Sequence, residues 1–135
     1  MDIEQARYNM VEQQIRPWDV LDQDVLNLLL KVRREDFVPQ AHQALAFVDM
    51  EIPLGHGQAT WTPKLEARVI QELAIRPTDR VLEIGTGSGY LTALLAQQAA
   101  EVVSADIVTA FTRAAAAKLR SPRRALHPAG RRRGA

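Results

Sequence analysis

The sequence has 135 residues, of which 47% are hydrophobic and none is cysteine. This length fits one small domain or part of a larger one, and the apolar fraction is sufficient for a globular core. The lack of cysteine excludes a disulfide framework, a thiolate nucleophile and a zinc–thiolate site. No apolar run is long enough to span a bilayer, and the polar, acidic start is unlike a secretory signal, so we expect a cytoplasmic protein.

The net charge of +1 conceals an uneven distribution of charge along the chain. All 16 acidic residues lie between Asp2 and Asp106, whereas eight of the 17 basic residues lie from Arg113 onward. The part before Arg113 therefore carries nine basic and 16 acidic side chains, a net charge of −7. We expect residues 113–135 to form a basic tail that is disordered from Ser121 onward, because arginine and proline replace apolar periodicity there.

Two helices are predicted in the amino-terminal region, residues 1–60. The first is predicted over residues 2–15 from apolar side chains near helical spacing, and Pro17 ends it. The second begins at Asp22 as a cap and carries the apolar run at 25–30, which we expect to be buried. Residues 45–58 are rich in proline and glycine and favour a loop with one short strand.

A third helix is predicted to start at Thr62 and Pro63, because a hydroxyl suits the cap and proline suits the first turn. Leu65, Val69 and Leu73 follow at four-residue steps and are predicted to form its buried face.

A βαβ unit follows the third helix. The pattern predicts a short buried strand at 80–84, a glycine-rich loop at 85–89, a helix at 90–98 and a second strand at 101–106. The crossover implies that the two strands are parallel. The fold class is therefore α/β, and residues 61–112 are expected to be the first part of a Rossmann-like domain.

The glycine-rich loop is the most informative segment. Its glycines allow the backbone to approach a ligand closely and direct the free N–H groups of the helix start at a polar ligand. A dinucleotide fingerprint would require glycine at position 90, where Tyr90 stands, and no Gly-Lys-Ser/Thr follows as in a P-loop.

The pattern E-x-G-x-G-x-G is the first motif of Rossmann-like S-adenosylmethionine methyltransferases. Asp106, at the end of the next strand, can accept hydrogen bonds from both ribose hydroxyls of a nucleoside cofactor. The alternative is a tight turn followed by an acid that caps the next helix.

Four segments in order resemble the amino-terminal half of the protein-L-isoaspartate O-methyltransferase family. They are MVEQQI at 10–15, REDFVP at 34–39, IPLGHGQ at 52–58 and VLEIGTGSGY at 81–90. The resemblance covers Met10 to Asp106 and implies a Rossmann-like S-adenosylmethionine methyltransferase fold, incomplete, with a helical amino-terminal region. It also implies methylation of isoaspartyl residues in damaged proteins, followed by succinimide formation.

The resemblance further implies a set of cofactor-binding residues. Gly85, Gly87 and Gly89 would line the methionine end of S-adenosylmethionine, Glu83 would orient that end, and Asp106 would hold the ribose. Thr86 and Ser88 complete the loop and belong to the same expected site. Because the attacking carboxylate is already an anion and the sulfonium is a good leaving group, catalysis can depend mainly on holding the two in line.

Two departures from the family pattern keep alternatives open. The family usually has a serine two residues before the proline that starts the third helix, where this chain has Trp61. Thr62 is a candidate to replace that catalytic hydroxyl, although a helix N-cap is the simpler role. Furthermore, the strands expected after Asp106 are missing, so we expect a truncated chain that is marginally stable and inactive alone.

Several function classes therefore remain. The first is an isoaspartyl methyltransferase acting on damaged proteins, with a variant that uses another methyl acceptor. The second is a non-catalytic remnant that binds cofactor or serves as an interaction domain. The third, a nucleic-acid binder acting through the arginine tail, lacks stacking aromatics and a recognition fold, so we expect no specific nucleic-acid partner and no membrane partner.

The histidines and two aromatic residues are more typical of structural or surface positions than of a binding site. His42, His56 and His127 are too far apart in sequence to suggest a metal site, and His56 is expected to lie in an exposed loop. Trp18 and Phe37 are predicted to be core residues.

Overall fold

The computed structural model describes residues 2–119 and 126–127. Helix α1 (Ile3–Met10) begins where the Asp2 carboxylate accepts a hydrogen bond from the Gln5 N–H, at 3.0 Å. The chain then continues as a π-helical turn, Val11–Ile15, and a 3₁₀ turn, Arg16–Trp18. The helix predicted over residues 2–15 is confirmed in position, with the π-helical turn as its last part. The 3₁₀ turn that contains Pro17 follows it.

Helix α2 (Gln23–Lys31) begins at Asp22, whose carboxylate accepts hydrogen bonds from the backbone N–H groups of Asp24 and Val25. The predicted burial of its apolar face is confirmed, with four side chains in the core: Val25, Leu26, Leu28 and Leu29. Two 3₁₀ turns follow, Arg34–Phe37 and Gln40–Leu45.

The two aromatic residues predicted to be in the core differ in their burial. Phe37 is buried and its ring lies 6.0 Å from that of Tyr90, as expected of a core residue. The prediction for Trp18 is wrong, because about half of its surface is exposed. Lys64 Nζ lies 4.3 Å from the centroid of the Trp18 ring, so the indole has a cationic neighbour at the surface.

Residues 53–59 form a small antiparallel hairpin of β1 (Pro53–Gly55) and β2 (Gln58–Ala59), so this region has two strands where one was predicted. The turn between them contains His56, with a φ of 55°, flanked by two glycines with positive φ. His56 is exposed, as expected, and makes an edge-on ring contact with Phe111.

Helix α3 (Pro63–Leu73) starts where predicted, but the predicted buried face is wrong. Leu65 and Leu73 are exposed and Val69 is only half-buried. The buried side chains of the helix are Pro63, Glu66, Ala67 and Ile70. The buried face of the helix differs from the predicted one because Glu66 turns inward to pair with Arg34. A pattern of apolar residues does not predict the burial of a glutamate.

The predicted βαβ unit is confirmed. Strand β3 (Arg80–Ile84), helix α4 (Tyr90–Gln98) and strand β4 (Glu101–Ala105) follow in order, and the strands are parallel in register from Arg80↔Glu101 to Ile84↔Ala105. Asp106 comes directly after β4.

The region after Asp106 contains more regular structure than the sequence indicated. Helix α5 spans Thr109–Lys118, so it includes the first residues of the predicted basic tail. Strand β5 (Leu126–His127) pairs in parallel with β4 and gives the sheet the order β3-β4-β5. The expectation of two strands and of disorder at 126–127 is therefore wrong, while the rest of the predicted disordered tail lies outside the described residues.

Helix α4 packs on one face of the sheet, where the Glu83 carboxylate accepts a hydrogen bond from the Thr92 hydroxyl. The prediction of a buried β3 is wrong for its other face, because Leu82 is 65% exposed and Ile84 is 77% exposed. Within residues 2–119 and 126–127, no layer covers these two side chains. No helix in that part of the chain is long and apolar enough to cross a membrane.

Candidate cofactor site

The glycine-rich loop follows β3, and its backbone has a conformation that only glycine adopts easily. Gly85, Gly87 and Gly89 all have positive φ, at 100°, 54° and 88°. A Cβ atom added to Gly85 would meet no atom of the described residues within 4 Å, so the space beside this residue is open to a ligand. Gly89, in contrast, lies tightly against Ala115 of α5, with 2.8 Å between the added Cβ and the Ala115 Cβ. The loop thus combines an open side with a packed side.

Asp106 holds the loop from the neighbouring strand. Its Oδ2 accepts a hydrogen bond from the Gly87 N–H at 3.0 Å, and its Oδ1 accepts one from the Val108 N–H at 2.9 Å. The carboxylate therefore joins the glycine loop to the start of α5. A role as a helix cap alone, the alternative reading of this acid, would not account for the contact with Gly87. Gly85 adds a second link, since its N–H donates to the Ala105 carbonyl at 2.6 Å.

A cleft of about 450 Å³ lies at the carboxyl ends of β3 and β4. Gly85 and Asp106 border it directly, together with Gln58 of the hairpin and Ile107, which is almost fully exposed. In parallel α/β sheets, ligands bind at this edge, where strand ends and helix starts meet. The structure therefore brings the predicted ribose-binding acid and the first glycine of the loop to one cleft.

Glu83 lies beneath the loop and is buried. Its Oε1 accepts hydrogen bonds from the hydroxyls of Thr92 and Ser104, the latter at 2.6 Å. Its Oε2 is buried and has no hydrogen-bond partner among the residues that the structure describes. Burial raises the pKa of the Glu83 carboxyl, because removal from water disfavours its charged form. A buried acid with one unpartnered oxygen is suited to receive a cationic or hydrogen-donating ligand group.

The remaining side chains of the loop have separate contacts. The hydroxyl oxygens of Thr86 and Ser104 lie 2.5 Å apart, so Thr86 extends the buried network around Glu83. The Ser88 hydroxyl accepts a hydrogen bond from the Tyr90 N–H at the start of α4. Thr86 and Ser88 therefore hold the loop in place by hydrogen bonds within the protein.

A second cavity of about 290 Å³ lies beside the glycine loop and shares Ile84 and Gly85 with the cleft. Thr60, Trp61, Glu66 and Glu83 line it together with the loop itself. Thr60 is buried, and its hydroxyl oxygen accepts a hydrogen bond from the Ile52 N–H at 3.0 Å, which leaves the hydroxyl proton to donate elsewhere. Trp61 is about half exposed at the mouth of the cavity.

Thr62 is placed at the N-cap position of α3, but its side chain makes no capping hydrogen bond. It is not among the residues that line either cavity, whereas Thr60 is. The candidate role of Thr62 as a catalytic hydroxyl therefore stays a prediction, and Thr60, two residues earlier, lines the cavity beside the glycine loop.

A buried ion pair supports this part of the site. Arg34 Nη2 lies 2.8 Å from Glu66 Oε1, and the same guanidinium donates to the carbonyls of Ala46 and Trp61. The Arg34 guanidinium carbon also lies 5.1 Å from the centroid of the Tyr90 ring. Burial raises the pKa of Glu66 to about 7, against the opposing attraction of Arg34. Arg34 thereby fixes the backbone at Trp61 to helix α3.

Sequence reasoning missed Glu66 and Thr60, and it noted Arg34 only as part of a motif. The one available signal was position: Glu66 falls one turn after Pro63 on the face shared with Ile70. An acid on that face indicates a buried partner, but the sequence does not show that the partner lies 32 residues earlier.

The parallel strands, the glycine loop after β3 and the acid after β4 define a Rossmann-like fold of the methyltransferase type, preceded by a helical amino-terminal region. The chain belongs to the protein-L-isoaspartate(D-aspartate) O-methyltransferase family, whose family model matches residues 5–126. The family resemblance inferred from the sequence is confirmed by this match.

Individual relatives agree with the family assignment. The protein-L-isoaspartate O-methyltransferase of Methanoculleus marisnigri is 47% identical over 100 residues, which are 74% of this chain and 46% of the relative. The chain spans about half the length of the curated relatives that it matches.

Two solved structures share the fold. One is a protein-L-isoaspartate O-methyltransferase of Plasmodium falciparum in complex with S-adenosyl-L-homocysteine, with a TM-score of 0.66, 19% identity, and coverage of 94% of this chain and 62% of that chain. The other, a protein-L-isoaspartate O-methyltransferase, has a TM-score of 0.69 and 20% identity, and the match covers 93% of this chain and 41% of that one.

Proposed function

We propose that this chain supplies the S-adenosylmethionine-binding part of a methyltransferase that esterifies the carboxylate of L-isoaspartyl residues in damaged proteins. The observation that carries the proposal is that Asp106 and Gly85, the first glycine of the positive-φ loop, border one cleft at the carboxyl edge of the sheet, while Asp106 also holds Gly87 by a hydrogen bond. The family to which the chain belongs, and the ligand in the related P. falciparum structure, support the same cofactor.

The residues of the site fit this cofactor. Open space beside Gly85 allows close approach of a ligand to the backbone, and Asp106 offers two carboxylate oxygens at the cleft for ribose hydroxyls. The unpartnered Glu83 Oε2 is the acceptor available to a cationic amino group. When bound, S-adenosylmethionine supplies an electrophilic methyl group on a sulfonium.

The protein's own part in the reaction is positioning. An isoaspartyl carboxylate is already a nucleophile at neutral pH, so the site requires no strong base and gains mainly from alignment of acceptor and donor. Thr60 and Trp61 border the second cavity, next to the cleft, where an acceptor peptide would lie. The Arg34 contact with the Trp61 carbonyl holds this segment in place. The proposed setting is the cytoplasm, in keeping with a cysteine-free sequence.

Trp61 favours a second candidate, a methyltransferase of the same kind with a different carboxylate acceptor. The family usually has serine at this position, and a half-exposed indole changes the size and polarity of the cavity mouth. The two candidates share the cofactor and differ only in the acceptor.

The test is transfer of a labelled methyl group to a peptide. Purified protein is incubated with methyl-labelled S-adenosylmethionine and either an isoaspartyl peptide or the same peptide with normal aspartate. Labelling of the isoaspartyl peptide alone supports the proposal. Equal labelling of both peptides favours the second candidate. S-adenosylmethionine binding without labelling of either peptide would assign only the cofactor-binding part to this chain, as expected of a chain that is inactive alone, and failure to bind S-adenosylmethionine would contradict the proposal.

A further inference from the structure

One buried acid of the described chain has no basic partner. Five charged side chains are buried there, and four of them form two ion pairs with a closest distance of 2.8 Å each, Arg7 with Glu35 and Arg34 with Glu66. The fifth, Glu83, forms no ion pair with any described residue. Because a buried charge without a partner is costly, such a group either stays neutral or receives a cation from outside the chain.

The hydrogen bonds of Glu83 match those of a neutral carboxyl group. The hydroxyls of Thr92 and Ser104 both donate to Oε1, whereas Oε2 is buried and has no partner among the described residues. A neutral carboxyl has one carbonyl oxygen that accepts hydrogen bonds and one oxygen that carries the proton, so Oε1 fits the first and Oε2 the second. Burial also raises the pKa of Glu83, and the carboxyl keeps its proton to a higher pH than an exposed glutamate does.

The charged groups around Glu83 supply no cation. The negative charge of Asp106 raises the pKa of Glu83 further. Glu66, which lines the same cavity, already holds Arg34, and Tyr90 of α4 stays neutral because burial raises its pKa. Among the described residues, no lysine or arginine lines the cleft or the second cavity. A cation at Glu83 must therefore come from a ligand.

Glu83 lies where a ligand can reach it. It lines the second cavity together with the glycine loop, and Gly85 borders both this cavity and the cleft next to Asp106. We propose that Glu83 exchanges its proton for the ammonium group of S-adenosylmethionine or S-adenosylhomocysteine. The O–H bond at Oε2 breaks and its proton passes to solvent, while the carboxylate so formed accepts a hydrogen bond from the ammonium N–H. This exchange rests on the proposed function, which supplies the ligand, and it couples cofactor binding to the release of a proton.

The exchange gives the affinity for the cofactor a defined pH dependence. Where Glu83 is protonated in the free protein and ionised in the complex, affinity falls as pH falls, by at most about tenfold for each pH unit. Well above the pKa of Glu83 in the free protein, no proton remains to be released and affinity is constant. We expect S-adenosylhomocysteine to bind about three- to tenfold more weakly at about pH 5.5 than at about pH 8.

The test is isothermal titration calorimetry of the full chain with S-adenosylhomocysteine, in two buffers that differ in ionisation enthalpy. The difference between the two heats gives the number of protons released, which should be measurable at about pH 5.5 and close to zero at about pH 8. Glu83→Gln keeps the size of the side chain and should abolish both the release and the pH dependence of affinity. Glu66→Gln is the matched control, because Glu66 is the other buried acid of the cavity, and the release should persist in this variant.

A second ligand tests the ammonium group without any variant. Methylthioadenosine has the nucleoside and the sulfur but no ammonium group, and it should bind without release of a proton. Equal release by both ligands would overturn the proposal, as would S-adenosylhomocysteine binding without release at about pH 5.5 or release that only Glu66→Gln abolishes. Failure of S-adenosylhomocysteine to bind at any pH would contradict the proposed function itself, and the exchange with it.

Discussion

Asp106 accepts a hydrogen bond from the backbone N–H of Gly87 across the carboxyl edge of the sheet, at 3.0 Å. This contact joins the acid after β4 to the middle of the glycine loop after β3. The two segments were separate signals in the sequence, and the fold brings them to one cleft. A single carboxylate therefore organises the loop and borders the space proposed for the ribose.

Replacement of Asp106 by alanine should weaken binding of S-adenosylhomocysteine. A hydrogen bond to a charged group contributes roughly 1.5–3 kcal/mol, so we expect a loss of affinity of about tenfold to a hundredfold in isothermal titration calorimetry. Asp79→Ala is the matched control, because Asp79 lies in the turn before β3, where its carboxylate accepts from the Arg76 N–H. Equal effects of the two substitutions would contradict the assignment.

Separation of the Arg34–Glu66 pair should destabilise the protein strongly. Either Arg34→Met or Glu66→Leu leaves one buried ionisable group without its partner, and we expect a cost of about 3–5 kcal/mol in urea unfolding at pH 8. The double variant should cost less than the sum of the two single variants.

The control for this cycle lies on the exposed part of the same helix. Arg68 and Glu72 form an ion pair of the same length, 2.8 Å, with much more solvent exposure. Its removal should cost less than about 1 kcal/mol. Similar costs for the two pairs would show that burial of the Arg34–Glu66 pair has no energetic consequence.

Glu66 should make stability depend on pH in a defined direction. Its pKa of about 7 in the folded protein exceeds the ordinary value of 4.5, so between these values the folded state retains a proton that the unfolded chain releases. The free energy of unfolding should therefore fall as pH rises from 4.5 to 7, by at most about 1.4 kcal/mol for each unit of pKa difference.

Glu66→Gln removes this contribution, and its unfolding free energy should change less with pH over that interval than that of the wild type. The neighbouring charged groups Arg34 and Glu83 are retained in both proteins. Glu35 acts at lower pH with the opposite sign, because its hydrogen bond with Arg7 lowers its pKa, and this contribution is lost as pH falls below 4.5. Parallel pH profiles of the two proteins would disprove the role of Glu66.

Gly89→Ala should be more harmful than an alanine at another positive-φ glycine. The added methyl group would meet Ala115 at 2.8 Å in addition to the strain of a φ of 88°, so we expect a loss of at least about 2 kcal/mol in thermal unfolding. Gly57→Ala has a similar φ and nothing within 4 Å, and should cost only about 1 kcal/mol. Equal losses would show that the contact between the glycine loop and α5 is not tight.

The features that the sequence predicted correctly are local. The strand, glycine loop, helix and second strand between Arg80 and Ala105 follow from spacing within a few residues, and Asp106 follows from its place after the second strand. The burial of α2 was predictable for the same reason, since one apolar face dominates a short helix.

The features that were missed depend on distant partners. Glu66 counts as polar in any pattern, and only its pairing with Arg34, 32 residues away, turns it inward and rotates the buried face of α3. Leu82 and Ile84 have the composition of a buried strand, but their exposure depends on what packs against β3. Strand β5 has two residues, too few for a periodic pattern, and is defined by its pairing with β4.

The most direct test of the proposed cofactor site is residue-resolved. Amide resonances of the ¹⁵N-labelled protein should be followed by NMR during titration with S-adenosylhomocysteine. The account predicts that the resonances of Gly85, Gly87 and Asp106 shift with one common saturation curve, while those of α2 stay in place. Saturating ligand that leaves the glycine-loop resonances unmoved, or that shifts α2 instead, would contradict the cofactor site proposed for this chain.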